Sequence, residues 1–406
     1  MTKRIHICLL TSGRFELAYG GETRYTLLLG NWLVRRDYDV TLMGSGFASV
    51  TAKRLSKFDV EEEENKKSKK IRVLYPPMSV YLLSRLVLSL LWICKILLIN
   101  KKTPITLIHA QDTGYSGLSA IVSGKILRIP VIISSHGIRH KTQESVIHSR
   151  LRNILLKIEY SLDIFTTKNA NSVIAVNSSI KNYYEQKISK KIDFIPNPIK
   201  LKNFEFSEVN RDLIRNELGI EDNKTKVIGY VGRFSPEKNL FTLLTSFADV
   251  VQDDPSVKLV LVGTGPLEPQ LREYINKRSI EDKVIFCGVR YDIDKVLACF
   301  DIFVLPSYIE GLSNALLEAM ASGRGIICSD IPANYELVAH NKEALLVNPY
   351  NSQELKQAIQ LLSSNDSLRS KLGNNAKIRA TQYDEDIVFP KILQYYQTTS
   401  RTTRND

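Results

Sequence analysis

Short apolar runs rich in Val, Ile and Leu recur along the whole chain, and most close on glycine or a polar residue. In the first half they are RIHICLL (4–10), DVTLMG (39–44), TLIHAQD (106–112), PVIISSHG (130–137) and SVIAVNS (172–178). The second half repeats the scheme with KVIGYVGRF (226–234), VKLVLVGTG (257–265), KVIFCGV (283–289), DIFVLPS (301–307) and RGIICSD (324–330). Strands that are apolar at nearly every position are buried on both faces, as in parallel sheets covered by helices. Between the first two runs, Tyr25, Leu28, Leu29, Trp32 and Leu33 fall at helical spacing. The pattern predicts an α/β protein. A length of 406 residues with 44% hydrophobic content suits more than one such unit. The boundary is expected near IPNPIKLKNF (195–204), where two prolines interrupt the pattern. This divides the chain into residues 1–200, residues 201–380 and a C-terminal helix over 381–400. Within that helix YDEDIVFPKILQYYQ (383–397) is aromatic, and a kink is expected at Pro390.

In such sheets ligands bind beyond the carboxyl ends of the strands, so the residues that follow the apolar runs are the candidates for chemistry. YVGRFSPEKN (230–239) leaves its strand at Gly232 and carries Arg233 and Lys238. Two cations there suit a diphosphate, Arg as a bidentate fork and Lys as a point charge. Two solvated surface cations are the plain alternative. SYIEGLSNALLEAMASG (307–323) puts Glu310 in a loop and Glu318 in the helix that follows. Ser313 or Asn314 caps that helix, Gly323 suits its far end, and its first-turn N–H groups attract an anion. A carboxylate pair for hydrolytic acid–base work and a nucleotide-sugar pocket both fit. So does a Glu318 that only complements the helix dipole.

Taken together, GRFSPEKN and EGLSNALLEAMASG resemble the retaining glycosyltransferases of family 4, the glycosyl transferases group 1. GGETRYTLLLGNWLVRRDYDVTLM, SSHG, IPNPI and VLVGTGP resemble further motifs of that family, in order along nearly the whole chain. The resemblance implies the GT-B fold: two Rossmann-like domains facing each other across a cleft, the N-terminal one for acceptor and the C-terminal one for nucleotide-sugar donor, with the last helix packing back toward the first domain. It implies that Glu318 binds the ribose, that Glu310 holds hydroxyls of the transferred sugar, and that Arg233 and Lys238 neutralise the diphosphate. Gly232 and Gly311 belong to the same donor site, with backbone N–H groups at Leu312, Ser313 and Asn314. Gly20 and Gly21 would let an N-terminal loop approach the phosphates, and His136 would lie near the transferred sugar and the acceptor. Retention is implied, by front-face attack with the departing phosphate helping to deprotonate the acceptor. One departure is Gly325, where the family often has proline. Another is the basic stretch IRHKTQESVIHSR, in which Arg139 and His140 are acceptor candidates.

Charge and cysteines bear on partners. Residues 1–200 hold 31 Lys+Arg against 15 Asp+Glu, a net +16, while the remainder has 24 against 28, a net −4. A basic first half suggests an anionic partner such as a phospholipid surface, a pyrophosphate-linked lipid or a nucleic acid. No nucleic-acid recognition motif is present, and none is expected as a partner. The apolar stretch 80–99 is a domain helix, a helix lying on a membrane, or a span; Arg85 and Lys95 argue against the span. Within it Leu83, Leu86, Val87, Leu90, Cys94 and Leu97 form one stripe, with Arg85, Ser89, Trp92 and Lys95 broadly opposite. Five scattered cysteines without metal spacing fit a reducing compartment. The N-terminus reads as a strand rather than a signal peptide, so a cytoplasmic location, peripheral on the inner membrane face, is expected. Asp-x-Asp occurs at 37–39, 292–294 and 384–386, read as a helix-to-strand turn and two helix starts; no metal or other cofactor is expected.

The reading is thus a metal-independent hexosyltransferase. It would move sugar from a UDP- or GDP-sugar to a glycan or lipid-linked acceptor in envelope polysaccharide or lipopolysaccharide synthesis. A non-catalytic adaptor of the same fold and a UDP-sugar epimerase are the alternatives.

Overall fold

The computed structural model describes residues 5–12, 21–44, 49–51, 78–138, 152–220, 222 and 224–405. Gly20, Arg139 and His140 lie outside these residues. The polypeptide divides into two compact units, Met1–Asn197 with Val388–Asp406, and Pro198–Ile387.

In the first unit the strands are β1 (His6–Leu10), β2 (Asp39–Met43), β3 (Ser49–Thr51), β4 (Leu107–Ala110), β5 (Val131–Ser135), β6 (Ser172–Ala175) and β7 (Asp193–Phe194). They form one sheet in the order β3-β2-β1-β4-β5-β6-β7, parallel except for the antiparallel β2–β3 edge. The helices are α1 (Gly21–Val34), α2 (Met78–Lys102), α3 (Tyr115–Leu127), α4 (Arg152–Asn169) and α5 (Ser178–Ile188). The second unit has β8 (Lys226–Val231), β9 (Val257–Val262), β10 (Val284–Gly288), β11 (Ile302–Leu305), β12 (Gly325–Ser329) and β13 (Leu345–Val347), all parallel in the order β10-β9-β8-β11-β12-β13. Its helices are α6 (Glu208–Glu217), α7 (Leu240–Asp253), α8 (Glu268–Lys277), α9 (Ile293–Cys299), α10 (Asn314–Ala321), α11 (Pro332–Tyr335), α12 (Ser352–Ser364) and α13 (Asp366–Ala380). The long helix α14 (Glu385–Asn405) contains Pro390 and contributes its residues from Val388 onward to the first unit.

Each sheet is doubly wound. The strand order reverses between β1 and β4 in the first unit and between β8 and β11 in the second. Loops leaving the strands on either side of such a point diverge to opposite faces, which opens a crevice at the carboxyl ends. The predicted two-unit α/β architecture is therefore present. The apolar runs are strands because both faces are covered: β1, β4, β5, β11 and β12 are buried along their whole length.

On one side of the first sheet, α1 packs Tyr25, Leu29, Trp32 and Leu33 against Ile7 and Leu9 of β1, together with Val388, Phe389, Ile392 and Tyr396 of α14. This is the stripe expected from spacing, with Leu28 partly buried. Trp32 sits between Phe389, 5.4 Å between ring centroids, and the Arg36 guanidinium, 3.7 Å above its ring.

The apolar stretch of α2 forms a helix that packs on α3, but with the opposite face inward. Ser89, Trp92 and Ile96 are buried, whereas Leu86, Val87 and Leu90 are 42%, 47% and 62% exposed. The Ser89 hydroxyl donates to the Tyr115 carbonyl, and Ser119 donates to the Ser89 carbonyl, both at 3.3 Å. A small side chain with polar reach lets two helix backbones approach closely, and the aliphatic stripe is left outside. Among the described residues no helix is long and apolar enough to cross a membrane.

Candidate donor site and comparison with known proteins

The loops at the β8/β11 switch point carry most of the candidate residues. Strand β8 ends at Val231, and Gly232 follows at φ 159°. A Cβ there would lie 2.5 Å from the Tyr230 hydroxyl, which donates to the Arg233 carbonyl at 3.0 Å. The turn after β9 closes on the same segment. A Cβ on Gly263, whose φ is +132°, would lie 1.9 Å from the Gly232 carbonyl oxygen, so two backbones meet where neither tolerates a side chain. This is the role of the glycines in VLVGTGP.

Lys238 ends a single 3-10 turn, Pro236–Lys238. Its ammonium donates to Glu310 Oε1 at 2.8 Å across 72 positions of sequence, and the Ser307 hydroxyl donates to the same oxygen at 2.7 Å. The Lys238 and Glu310 side chains are 21% and 8% exposed. The two groups read from the sequence as separate contributors thus form one ion pair. Arg233 is exposed, and among the described residues its guanidinium has no ion-pair partner. The loop therefore offers one compensated and one uncompensated cation five positions apart in sequence.

Helix α10 begins as expected. Ser313 caps it, accepting from the Leu316 N–H at 3.3 Å, and Gly323 follows its end at φ +65°. The Ser313 carbonyl accepts from the Leu317 N–H at 3.1 Å, and the N-terminus of a helix directs its first-turn N–H groups toward an anion. Gly311 and Leu312 lead into this turn from Glu310, and Glu318, one turn in, is buried. Gly325 opens β12, where a Cβ would come within 2.5 Å of the Arg369 stem; that packing accounts for the residue found in place of proline.

Two residues that organise the site were not assigned a role from sequence. Asn239, left-handed at φ 54°, donates through Nδ2 to the carbonyls of Pro306 at 3.0 Å and Pro349 at 2.7 Å. It ties the loop after β8 to the loops after β11 and β13. Ser307 holds Glu310. An Asn just before a helix in a Gly/Pro-containing loop was the available signal for the first. Nothing local marks the second.

In the first unit His136 follows β5. Its ring meets Tyr25 edge-on at 4.8 Å, and Nε2 lies 3.3 Å from Gln111 Oε1. His136 Nδ1 and Gln111 Nε2 are sealed from solvent, with no hydrogen-bond partner among the described residues. Burial pulls the imidazole down to about 4, although Asp112 and Asn197 act in the other direction. It is neutral near pH 7 and can accept or donate one hydrogen bond. Behind it His109 bridges the Tyr396 hydroxyl at 2.6 Å and Ser134 at 2.8 Å. Gly21 opens α1, and Glu22 in its first turn accepts from the Ser12 N–H at 3.1 Å, which ties the end of β1 to α1.

Of the three Asp-x-Asp stretches, Asp37 lies in the turn between α1 and β2 with φ 63°, Asp292 immediately precedes α9 with its carboxylate on Arg290, and Asp384 precedes α14. Among the described residues no group of three or more His, Cys, Asp or Glu side chains could hold a metal ion.

Residues 19–203 match Glycosyltransferase Family 4 and residues 210–379 match Glycosyl transferases group 1. An alpha-monoglucosyldiacylglycerol synthase of Streptococcus pneumoniae is 30% identical over 277 residues, 65% of this chain and 60% of that protein. A Campylobacter jejuni N,N'-diacetylbacillosaminyl-diphospho-undecaprenol alpha-1,3-N-acetylgalactosaminyltransferase is 29% identical over 50% of this chain and 64% of its own length. The matches thus span somewhat less than two thirds of these two relatives. Among solved structures, Anabaena HepE in complex with UDP and glucose superposes with a TM-score of 0.74 at 21% identity, covering 97% of this chain and all of that one. Sucrose-phosphate synthase of Thermosynechococcus elongatus gives 0.77 at 19% identity. At such identities these structures establish a shared fold. With two family matches that between them take in most of the sequence, the chain belongs to the family 4 glycosyltransferases, the glycosyl transferases group 1, and has their α/β GT-B fold.

Proposed function

We propose that this chain is a retaining, metal-independent glycosyltransferase that moves a hexose from a UDP- or GDP-sugar to a glycan or lipid-linked acceptor of the cell envelope, at the inner face of a membrane. The observation that carries the reading is the convergence, at the switch point of the second unit, of Arg233, the Lys238–Glu310–Ser307 constellation and the N-terminus of α10. The difficult step separates a nucleoside diphosphate from an oxocarbenium-like sugar. Charge then develops on the bridging phosphate oxygen, and preorganised donors lower that barrier. Arg233, Lys238 and the N–H groups at Leu312–Asn314 supply them. Glu310, held by Ser307, accepts from hydroxyls of the transferred sugar, and Glu318 from those of the ribose. Neutral His136, with Gln111 beside it, contacts the sugar or the acceptor. Two relatives support the acceptor class: one is a synthase of a monoglucosyldiacylglycerol, and the other transfers to a diphospho-undecaprenol-linked sugar. HepE with UDP supports the nucleotide.

A thermal-shift panel with UDP, GDP, ADP and TDP, with and without EDTA, tests the reading on wild type and Lys238→Ala. One diphosphate is expected to stabilise the wild type, to do so equally in EDTA, and to lose its effect in the variant. Anomeric analysis of the product formed from the matching nucleotide-sugar then decides retention. Dependence of binding on a divalent metal would overturn the metal-free site.

A further inference from the structure

The outer surface of α2, α3 and α4 combines exposed aliphatic side chains with charge of one sign. On α2, Leu86, Val87, Leu90, Leu91 and Leu98 are exposed, at 42–62%. The same helix contains no acidic residue and ends in Lys101 and Lys102, both exposed. α3 packs beside it and adds exposed Lys125 and Ile126, again with no acid on the helix. α4 packs beside α3 and adds Ile154, Phe165, Lys157 and Lys168. The ends of α3 and α4 are joined, since the Lys125 ammonium donates to Asn169 at 3.0 Å and lies 6.0 Å from the Phe165 ring. The two acids of α4, Glu159 and Asp163, are turned inward and buried. Among the described side chains of these three helices, every exposed charge is therefore positive.

We propose that this surface docks on a lipid bilayer rich in anionic headgroups, with the α2 stripe entering the headgroup–acyl boundary and the lysines meeting lipid phosphates. The inference deepens the membrane part of the function proposed above and rests on it. Aliphatic side chains interleaved with cations match a bilayer interface, which accepts both at once. A second copy of the chain would bring like charge against like charge. The outward orientation is fixed, because Ser89, Trp92 and Ile96 anchor α2 to the unit by its other face.

The test is flotation of the full chain with vesicles of phosphatidylcholine alone and of phosphatidylcholine with phosphatidylglycerol. Binding is expected only with the anionic lipid and is expected to weaken as salt rises. Each basic side chain near such a surface contributes about five-fold to partitioning, so Lys101→Ala with Lys102→Ala should lower it about 25-fold. Leu90→Glu with Leu98→Glu should abolish it. Both variants should keep the wild-type Tm and the wild-type nucleotide affinity, which separates loss of docking from loss of fold or of the donor site. Absence of wild-type binding, binding that neither variant alters, or a wild-type dimer in light scattering that Leu90→Glu disperses would each overturn the proposal. Vesicle binding without any nucleotide affinity would leave the docking surface standing and sink the transferase reading instead.

Discussion

Lys238→Met probes the Lys238–Glu310 pair most directly. Removing one partner of a fully buried ion pair costs about 3–5 kcal/mol, whereas exposed pairs contribute about 0–1 kcal/mol. Here the carboxylate is 8% exposed and the ammonium 21%, at 2.8 Å, and Ser307 still donates to the same oxygen after the change. The expected loss is intermediate, about 2 kcal/mol. For a unit of this size that lowers Tm by roughly 4–8 °C. Glu310→Gln keeps the Ser307 hydrogen bond and leaves a lysine that reaches water, so about 1 kcal/mol is expected. The double variant should cost about 1.5 kcal/mol, less than the two changes added, which gives a coupling of about 1.5 kcal/mol. The same lysine serves a bound diphosphate. Loss of one charge-assisted hydrogen bond should weaken UDP or GDP binding by about 10- to 150-fold. Denaturation of the four proteins and calorimetric titration with the preferred diphosphate measure both quantities. Additive single changes, within about 0.3 kcal/mol, would refute the pair as an energetic unit. A diphosphate affinity unchanged in Lys238→Met would refute its role in the donor site.

Asn239→Ala removes two buried hydrogen bonds and a residue that tolerates the left-handed conformation, and about 2–4 kcal/mol of stability should go with it; Asn239→Gly, which restores only the backbone freedom, should recover part of the Tm. Gly263→Ala places a methyl 1.9 Å from a carbonyl oxygen, and a loss above about 3 kcal/mol, read as thermal unfolding or poor soluble yield, is expected. His109 is buried and held well below its ordinary value, at about 3, first by burial and then by His136. An unfolded histidine binds its proton near 6.5, so this stability is present above that pH and is lost progressively as pH falls toward 3. Between pH 7 and 5 the loss is about 2 kcal/mol, and a pH series of Tm should flatten in His109→Gln. His136→Ala should lower kcat of transfer by at least about 100-fold while diphosphate affinity stays within about two-fold; an equal loss in both would place His136 in structure rather than in transfer.

Much of this molecule is legible in one dimension. Continuous apolar runs such as Ile302–Leu305 suit strands buried on two faces, and the spacing of Tyr25, Leu29, Trp32 and Leu33 suits one helix stripe. The cap at Ser313 and the left-handed Gly323 follow from local chemistry, and so α10 was read correctly. Strands β3, β7 and β13 escaped because two or three residues carry no periodicity.

The chain by itself determined which elements form, that they build parallel sheets, and which loops carry cations and carboxylates. Only the tertiary structure decided which of these meet. Lys238 and Glu310 are paired because β8 and β11 are neighbours, while β9 and β10, which lie between them in sequence, sit on the far side of β8. Strand order is a property of the whole sheet, and no local periodicity encodes it. The face of α2 was decided in the same way. Its apolar stripe is wide enough to be a core face, yet close packing against α3 favoured Ser89 and Trp92 and turned the leucines outward. Hydrophobic periodicity tells which face of a helix avoids water, but the shape and hydrogen-bonding needs of the neighbouring helix tell which face is allowed to.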